Sequence, residues 1–150
     1  MPQSFCQIYV HLIFSTKDRL HTITSDIRLR LHAYLAELVR GTGSAFVVVG
    51  GPADHVHVLF SLDKKTAFVD VVEQIKKESS KFVKTCGVEP HDFYWQRGYG
   101  AFSVGPTHKD GVVQYIAAQE EHHQRMTFQD EYRAFLVKYG ISFEEKYVWD

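Results

Sequence analysis

The stretch FVVVGGPADHVHVLFSL, residues Phe46–Leu62, holds two apolar runs joined by Gly51-Pro52-Ala53-Asp54. β-Branched and aromatic residues fill both runs, while Gly, Pro and Asp supply the connection, so the segment reads as a β-hairpin. Side chains alternate along a strand, which puts Val56, Val58 and Phe60 on one face and His55, His57 and Leu59 on the other. The first set is core. The second sets two imidazoles side by side.

Upstream, FCQIYVHLIFST (Phe5–Thr16) reads as a long strand. Asp26–Arg40 then places Ile27, Leu31, Tyr34, Leu35 and Leu38 at helical spacing, with Thr24 or Ser25 to cap its start and Gly41 to end it. Downstream, Thr66–Cys86 is a second helix with Phe68, Val72, Ile75, Ser79 and Phe82 in one stripe. A Gly-rich, aromatic segment, Phe93–Gly105, contains a short strand at Ala101–Val104. Thr107 with Asp110 resembles a capping box that opens a helix to about His123. Thr127 with Asp130 opens another, carrying Tyr132, Phe135, Leu136 and Tyr139, which Gly140 ends. The order strand, helix, strand, strand, helix, strand, helices gives an α+β fold: a ferredoxin-like antiparallel sheet with helices on one face and a C-terminal helical extension.

A chain of 150 residues with 45% hydrophobic side chains is one globular domain and needs no disulfide or metal staple. Its 17 basic and 18 acidic residues balance, excluding a histone-like polycation or an acidic tail but not a local basic face. Cys6 and Cys86 form no CxxC pair, no signal peptide is evident and no run is long enough to span a membrane, so a reduced, cytosolic protein is expected. Cys86 with His91 has no distinctive context, and a structural thiol is the simpler reading.

Two constellations carry chemistry. His55-Val56-His57 brings two imidazoles close enough to hold one cation, and equally suits two hydrogen-bonded histidines at a sheet rim. On the helix after Thr107, Tyr115 and Gln119 share a face one turn apart, with His108 and His122 on the same stripe. That face fits a reactive hydroxyl, or an amphipathic boundary tyrosine whose hydroxyl meets water. His122 and His123 point about 100° apart on a helix, so His123 is expected to be solvated. Six lysines against four acids between Leu62 and Thr85 make that helix mildly basic. Lys77, Lys81 and Lys84, with Arg97 in the aromatic segment, are candidate nucleic-acid contacts, although a solvated helix face has the same composition.

Together these pieces resemble the single-tyrosine HUH transposases, small insertion-sequence enzymes acting on single-stranded DNA. His55-Val56-His57 matches the His-hydrophobic-His motif and Tyr115-Ile116-Ala117-Ala118-Gln119 matches the tyrosine motif. YVHLIFSTKDR (Tyr9–Arg19), WQRGYGAFSV (Trp95–Val104) and the segment Glu120–Asp150 are also similar, so the likeness spans nearly the whole chain as a single domain, 1–150. The resemblance implies that the C-terminal helical extension carries a catalytic Tyr115, with His55, His57 and Gln119 holding Mg²⁺ or Mn²⁺. It further implies cleavage and rejoining of single-stranded DNA at hairpin-bearing element ends, through a 5′-phosphotyrosine and without consuming water. A homodimer with shared active sites is implied too, the stretch Gly98–Gly105 letting the tyrosine helix swing away. Three alternatives stand beside this: a domesticated relative acting on repetitive palindromic DNA, a non-catalytic ferredoxin-like single-stranded nucleic-acid module, and a histidine-based metal-binding domain.

Overall fold

The structure is a computed structural model that describes residues 2–87 and 93–150. Four antiparallel strands, β1 (Tyr9–Ser15), β2 (Val47–Gly50), β3 (His55–Ser61) and β4 (Gly100–Val104), lie in the order β2-β3-β1-β4. Helices α1 (Ser25–Gly41) and α2 (Phe68–Thr85) link the strands. Beyond the sheet come α3 (Lys109–Ala117), the single turn α4 (Gln119–His122) and α5 (Phe128–Lys138). The expected antiparallel ferredoxin-like order is therefore present, with β1 paired over Tyr9–Ser15, shorter than the apolar run that announces it.

Alternation decides what each face meets. Leu12, Phe14, Val56, Val58 and Phe60, all fully buried, form the main core with Ile27, Leu31 and Leu35 of α1 and Val71, Val72 and Ile75 of α2. Each large side chain so buried contributes about 1.5–3 kcal/mol by leaving water. The opposite face presents Tyr9, His11 and Ile13 beside Leu59, His57 and Phe102. Ile116 of α3 packs there on Tyr9, Leu59 and Val104. Phe128, Tyr132 and Leu136 of α5 pack there on Ile13 and Phe102. The C-terminal helices are thus the second cover of the sheet.

Two glycines permit that closeness. A Cβ on Gly50 would lie 2.6 Å from Ile116 Cγ2, and one on Gly100 would lie 2.5 Å from a ring carbon of Tyr132. α3 and α5 therefore rest directly on backbone at opposite edges of the sheet, and the histidine-bearing strands run between them.

Three expectations around the tyrosine helix change, and at α1 Thr24 makes no side-chain cap while Gly41 lies within the helix, which Thr42 ends. Thr107 forms no capping box: Pro106–His108 is a 3-10 turn, and the Thr107 hydroxyl meets His108 Nδ1 at 3.3 Å. The helix expected to run to His123 breaks at Ala118 (φ −93°, ψ 10°). Most of Gly98–Gly105 is held, because residues 100–104 pair with β1, and Gly105 alone separates that strand from the 3-10 turn ahead of α3. Thr127 does cap α5, accepting from the Asp130 amide at 3.2 Å.

Candidate active site

β3 delivers His55 and His57, both fully buried, to the face covered by α3–α5. Each imidazole is tied at Nδ1. His55 Nδ1 lies 2.7 Å from Asp54 Oδ1, and His57 Nδ1 lies 2.8 Å from His11 Nε2 on the neighbouring strand. Such outer contacts fix the ring and its tautomer and leave the far nitrogen as the working atom. Both Nε2 atoms turn to one place: they stand 3.3 and 3.0 Å from Glu131 Oε1 of α5.

α3 and α4 bring the other partners. Gln119, fully buried, sets its Oε1 3.3 Å from His55 Nε2. The half-buried Tyr115 hydroxyl donates to Glu131 Oε2 and lies 3.4 Å from His122 Nε2. All four residues expected at the centre, His55, His57, Tyr115 and Gln119, therefore meet within one chain. Tyr115, His108 and His122 line a single cavity of about 650 Å³, together with His11, Phe135 and Lys138.

Two further residues belong to this centre. His123 is not solvated: its side chain is only 8% exposed, and Nε2 lies 3.1 Å from Glu131 Oε1. The break at Ala118 rotates it inward, which a continuous helical wheel does not anticipate. Glu131 is the other. It falls on the α5 stripe of Phe128, Tyr132 and Phe135, and a carboxylate inside an apolar stripe is a signal the sequence carries. His55, His57, His123 and Glu131 each offer a ligand atom within 4.8 Å of one another.

The electrostatics follow from burial and crowding. Burial lowers His57 to about 4 and His11 to about 3, so both rings are neutral near pH 7. Burial also acts to lower His55, but its bonds to Asp54 and Glu131 outweigh that and raise it. For Glu131, burial opposes ionisation, yet the adjacent His123, His55 and His57 hold its carboxyl far below the usual range. Burial, then Glu131, raise the Tyr115 hydroxyl above an ordinary tyrosine. Imidazole nitrogens, a carboxylate oxygen and a neutral amide make a donor set that suits a divalent cation.

The basic residues lie elsewhere. Lys77, Lys81 and Lys84 are exposed on α2, which covers the opposite face of the sheet. Lys81 stands 3.5 Å from Glu78, and Lys84 lies over the Tyr94 ring. Arg97 is exposed in the segment before β4. Lys76 of the same helix instead donates to the carbonyls of Gln96, Arg97 and Gly98 at 2.7–3.1 Å. Cys86 donates to the Phe82 carbonyl as a structural thiol would, and His91 lies outside the described residues.

A family profile described as "Transposase IS200 like" matches residues 4–119. No curated protein matches the chain. Among solved structures, a protein of Deinococcus radiodurans R1 assigned as a transposase is similar at 22% identity and TM-score 0.62, over 79% of this chain and 98% of its own. A REP-associated tyrosine transposase bound to a REP hairpin is similar at 14% identity and TM-score 0.59, over 82% of this chain and 73% of its own.

Proposed function

The chain belongs to the IS200-like transposase family, and from that premise we propose that it cleaves and rejoins single-stranded DNA at hairpin-bearing element ends through a 5′-phosphotyrosine. The observation that carries this reading is the position of the Tyr115 hydroxyl, bonded to Glu131 beside His57 and facing an open cavity. Tyr115 oxygen attacks phosphorus, the P–O3′ bond breaks, and the leaving 3′ oxygen takes up a proton. The Tyr115 proton has Glu131 Oε2 as its acceptor. Because no water enters, the 3′-OH reverses the step on a new or original strand.

His55, His57 and Gln119 would hold Mg²⁺ or Mn²⁺, with Asp54 and His11 orienting the rings. A bound dication supplies charge stabilisation at the scissile phosphate. Lys77, Lys81, Lys84 and Arg97 remain proposed DNA contacts, reached only by a strand that wraps round to the α2 side. The whole of 1–150 acts as one domain in this reading, in the cytoplasm at the nucleoid. A REP hairpin is what one structural neighbour binds, which supports a hairpin as the recognised element and keeps the domesticated, palindrome-acting alternative in play.

The test is incubation of the chain with 3′-labelled single-stranded DNA carrying candidate ends, with Mn²⁺ or Mg²⁺. A labelled covalent band and a released strand ending in 3′-OH are expected. Binding with no covalent band would favour the non-catalytic module.

The homodimer with shared sites is a separate proposal. Mixing a His55→Ala/His57→Ala variant with Tyr115→Phe tests it: shared sites restore about a quarter of normal activity after subunit exchange, since half the dimers are mixed and each holds one intact site. Sites built within one chain restore none.

A further inference from the structure

We propose that His123 and Glu131 are ligands of the same cation as His55 and His57, making a three-imidazole, one-carboxylate centre that selects transition-metal dications over Mg²⁺. This rests on the reading of His55 and His57 as metal ligands and extends it to residues outside the two motifs.

Three observations carry it. Nε2 of His55, His57 and His123 stand 3.3, 3.0 and 3.1 Å from the same oxygen, Glu131 Oε1. Ligands held at about 2.0–2.1 Å in a tetrahedron lie about 3.3–3.4 Å apart, so a small adjustment admits an ion among them. Secondly, His123 Nε2 is buried without a hydrogen-bond partner. Its approach to Glu131 lacks the alignment a hydrogen bond needs, and a lone pair aimed at a cation would account for the burial of that nitrogen. Thirdly, Glu131 is fully enclosed on an apolar stripe. A carboxylate enclosed there costs stability unless positive charge meets it, and a cation held among the three imidazole nitrogens supplies that charge.

The donor set decides the ion. Mg²⁺ takes oxygen ligands in an octahedron and retains its waters, whereas imidazole nitrogen favours the later divalent ions, Mn²⁺ below Co²⁺ and Zn²⁺. Such ions also accept a fifth ligand, which keeps a place for a phosphate oxygen. Gln119 Oε1, 3.3 Å from His55 Nε2, then stands beside these four as the weaker, neutral donor, which water or a phosphate oxygen can replace.

Co²⁺ is the probe, added to the metal-stripped full chain and followed by titration calorimetry and visible absorption, with apo thermal melts confirming the fold. His123→Ala and Glu131→Gln should each weaken Co²⁺ at least about ten-fold, because even an outer-sphere change costs that much. Co²⁺ should bind the wild type at least ten-fold more tightly than Mg²⁺. A His123→Cys variant supplies a positive sign of contact: a thiolate-to-cobalt charge-transfer band in the near ultraviolet, which a structural role for position 123 would not produce. A loss below ten-fold in either of the first two variants, or no such band, overturns the four-ligand centre. If the His55→Ala/His57→Ala variant instead binds Co²⁺ like the wild type, the underlying metal reading fails with it.

Discussion

Gly50 is the point where the sheet touches the helix that carries Tyr115. Gly50→Ala would place a Cβ 2.6 Å from Ile116 Cγ2 and 2.8 Å from the Ile116 carbonyl oxygen. Carbon contacts settle at about 3.5–4.0 Å, so α3 must retreat by about 1 Å. The obstructing atoms include backbone, and rotating a side chain cannot relieve them all. Overpacking of this size costs about 1–3 kcal/mol, or roughly 2–10 °C in Tm for a chain of this length. The catalytic cost is larger. Tyr115 precedes Ile116 and Gln119 follows it by three residues, so both move together, and a displacement of about 1 Å costs on the order of 10²-fold in a positioned reaction. The assay is the rate of covalent adduct formation at saturating DNA and Mn²⁺, beside a thermal melt. Gly111→Ala is the control for the melt: it lies on the same helix with nothing within 4 Å of its added Cβ and should stabilise α3 by up to about 1 kcal/mol, while its place on the cavity wall beside Tyr115 keeps it out of the rate comparison. A folded Gly50→Ala protein that forms adduct within three-fold of the wild type would refute the idea that this contact positions the nucleophile.

Tyr115→Phe should abolish the adduct while DNA binding, by mobility shift, stays within about two-fold, since only the hydroxyl is lost; retained adduct would move the nucleophile to another tyrosine. His55→Ala/His57→Ala should lose metal-dependent cleavage by about 10³-fold or more and stay folded on Val56, Val58 and Phe60, whereas Gln119→Ala should lose about ten-fold, its neutral oxygen being replaceable by water; equal losses would make Gln119 indispensable. Acid should destabilise the metal-free protein. Burial lowers His32 from 6.5 to about 4, so the unfolded state binds its proton first and stability, complete above pH 6.5, falls as pH drops towards 4. Urea titrations at pH 7 and pH 5 should show His32→Gln losing up to about 2 kcal/mol less than the wild type over that interval; parallel losses would show that His32 is not the group responsible.

The strand that holds the two histidines is legible because alternation in HVHVLF separates core from site without reference to the rest of the chain. The Tyr115–Gln119 face is legible for the same reason, since it lies within about one helical turn. What fails is what depends on geometry between elements. His123 turns inward because the helix breaks at Ala118, where no Gly or Pro marks the interruption. The lysines of α2 read correctly as exposed, but only tertiary packing tells that their helix covers the sheet face away from Tyr115. Thr107 and Asp110 have the spacing of a capping box and do not form one, because Pro106 starts a 3-10 turn ahead of the helix. Glu131 was readable in principle: among Phe128, Tyr132 and Phe135 it is the one side chain that burial would penalise unless it met the histidines.

The most direct measurement is the covalent attachment site itself. The adduct formed with single-stranded DNA and Mn²⁺ is trapped, digested with protease and nuclease, and mapped by mass spectrometry. A nucleotide joined through its 5′ phosphate to the peptide containing Tyr115, absent without the metal, is the predicted result. A nucleotide on Tyr99 or Tyr132, on a histidine, or on no residue at all would contradict the assignment of Tyr115 as the nucleophile.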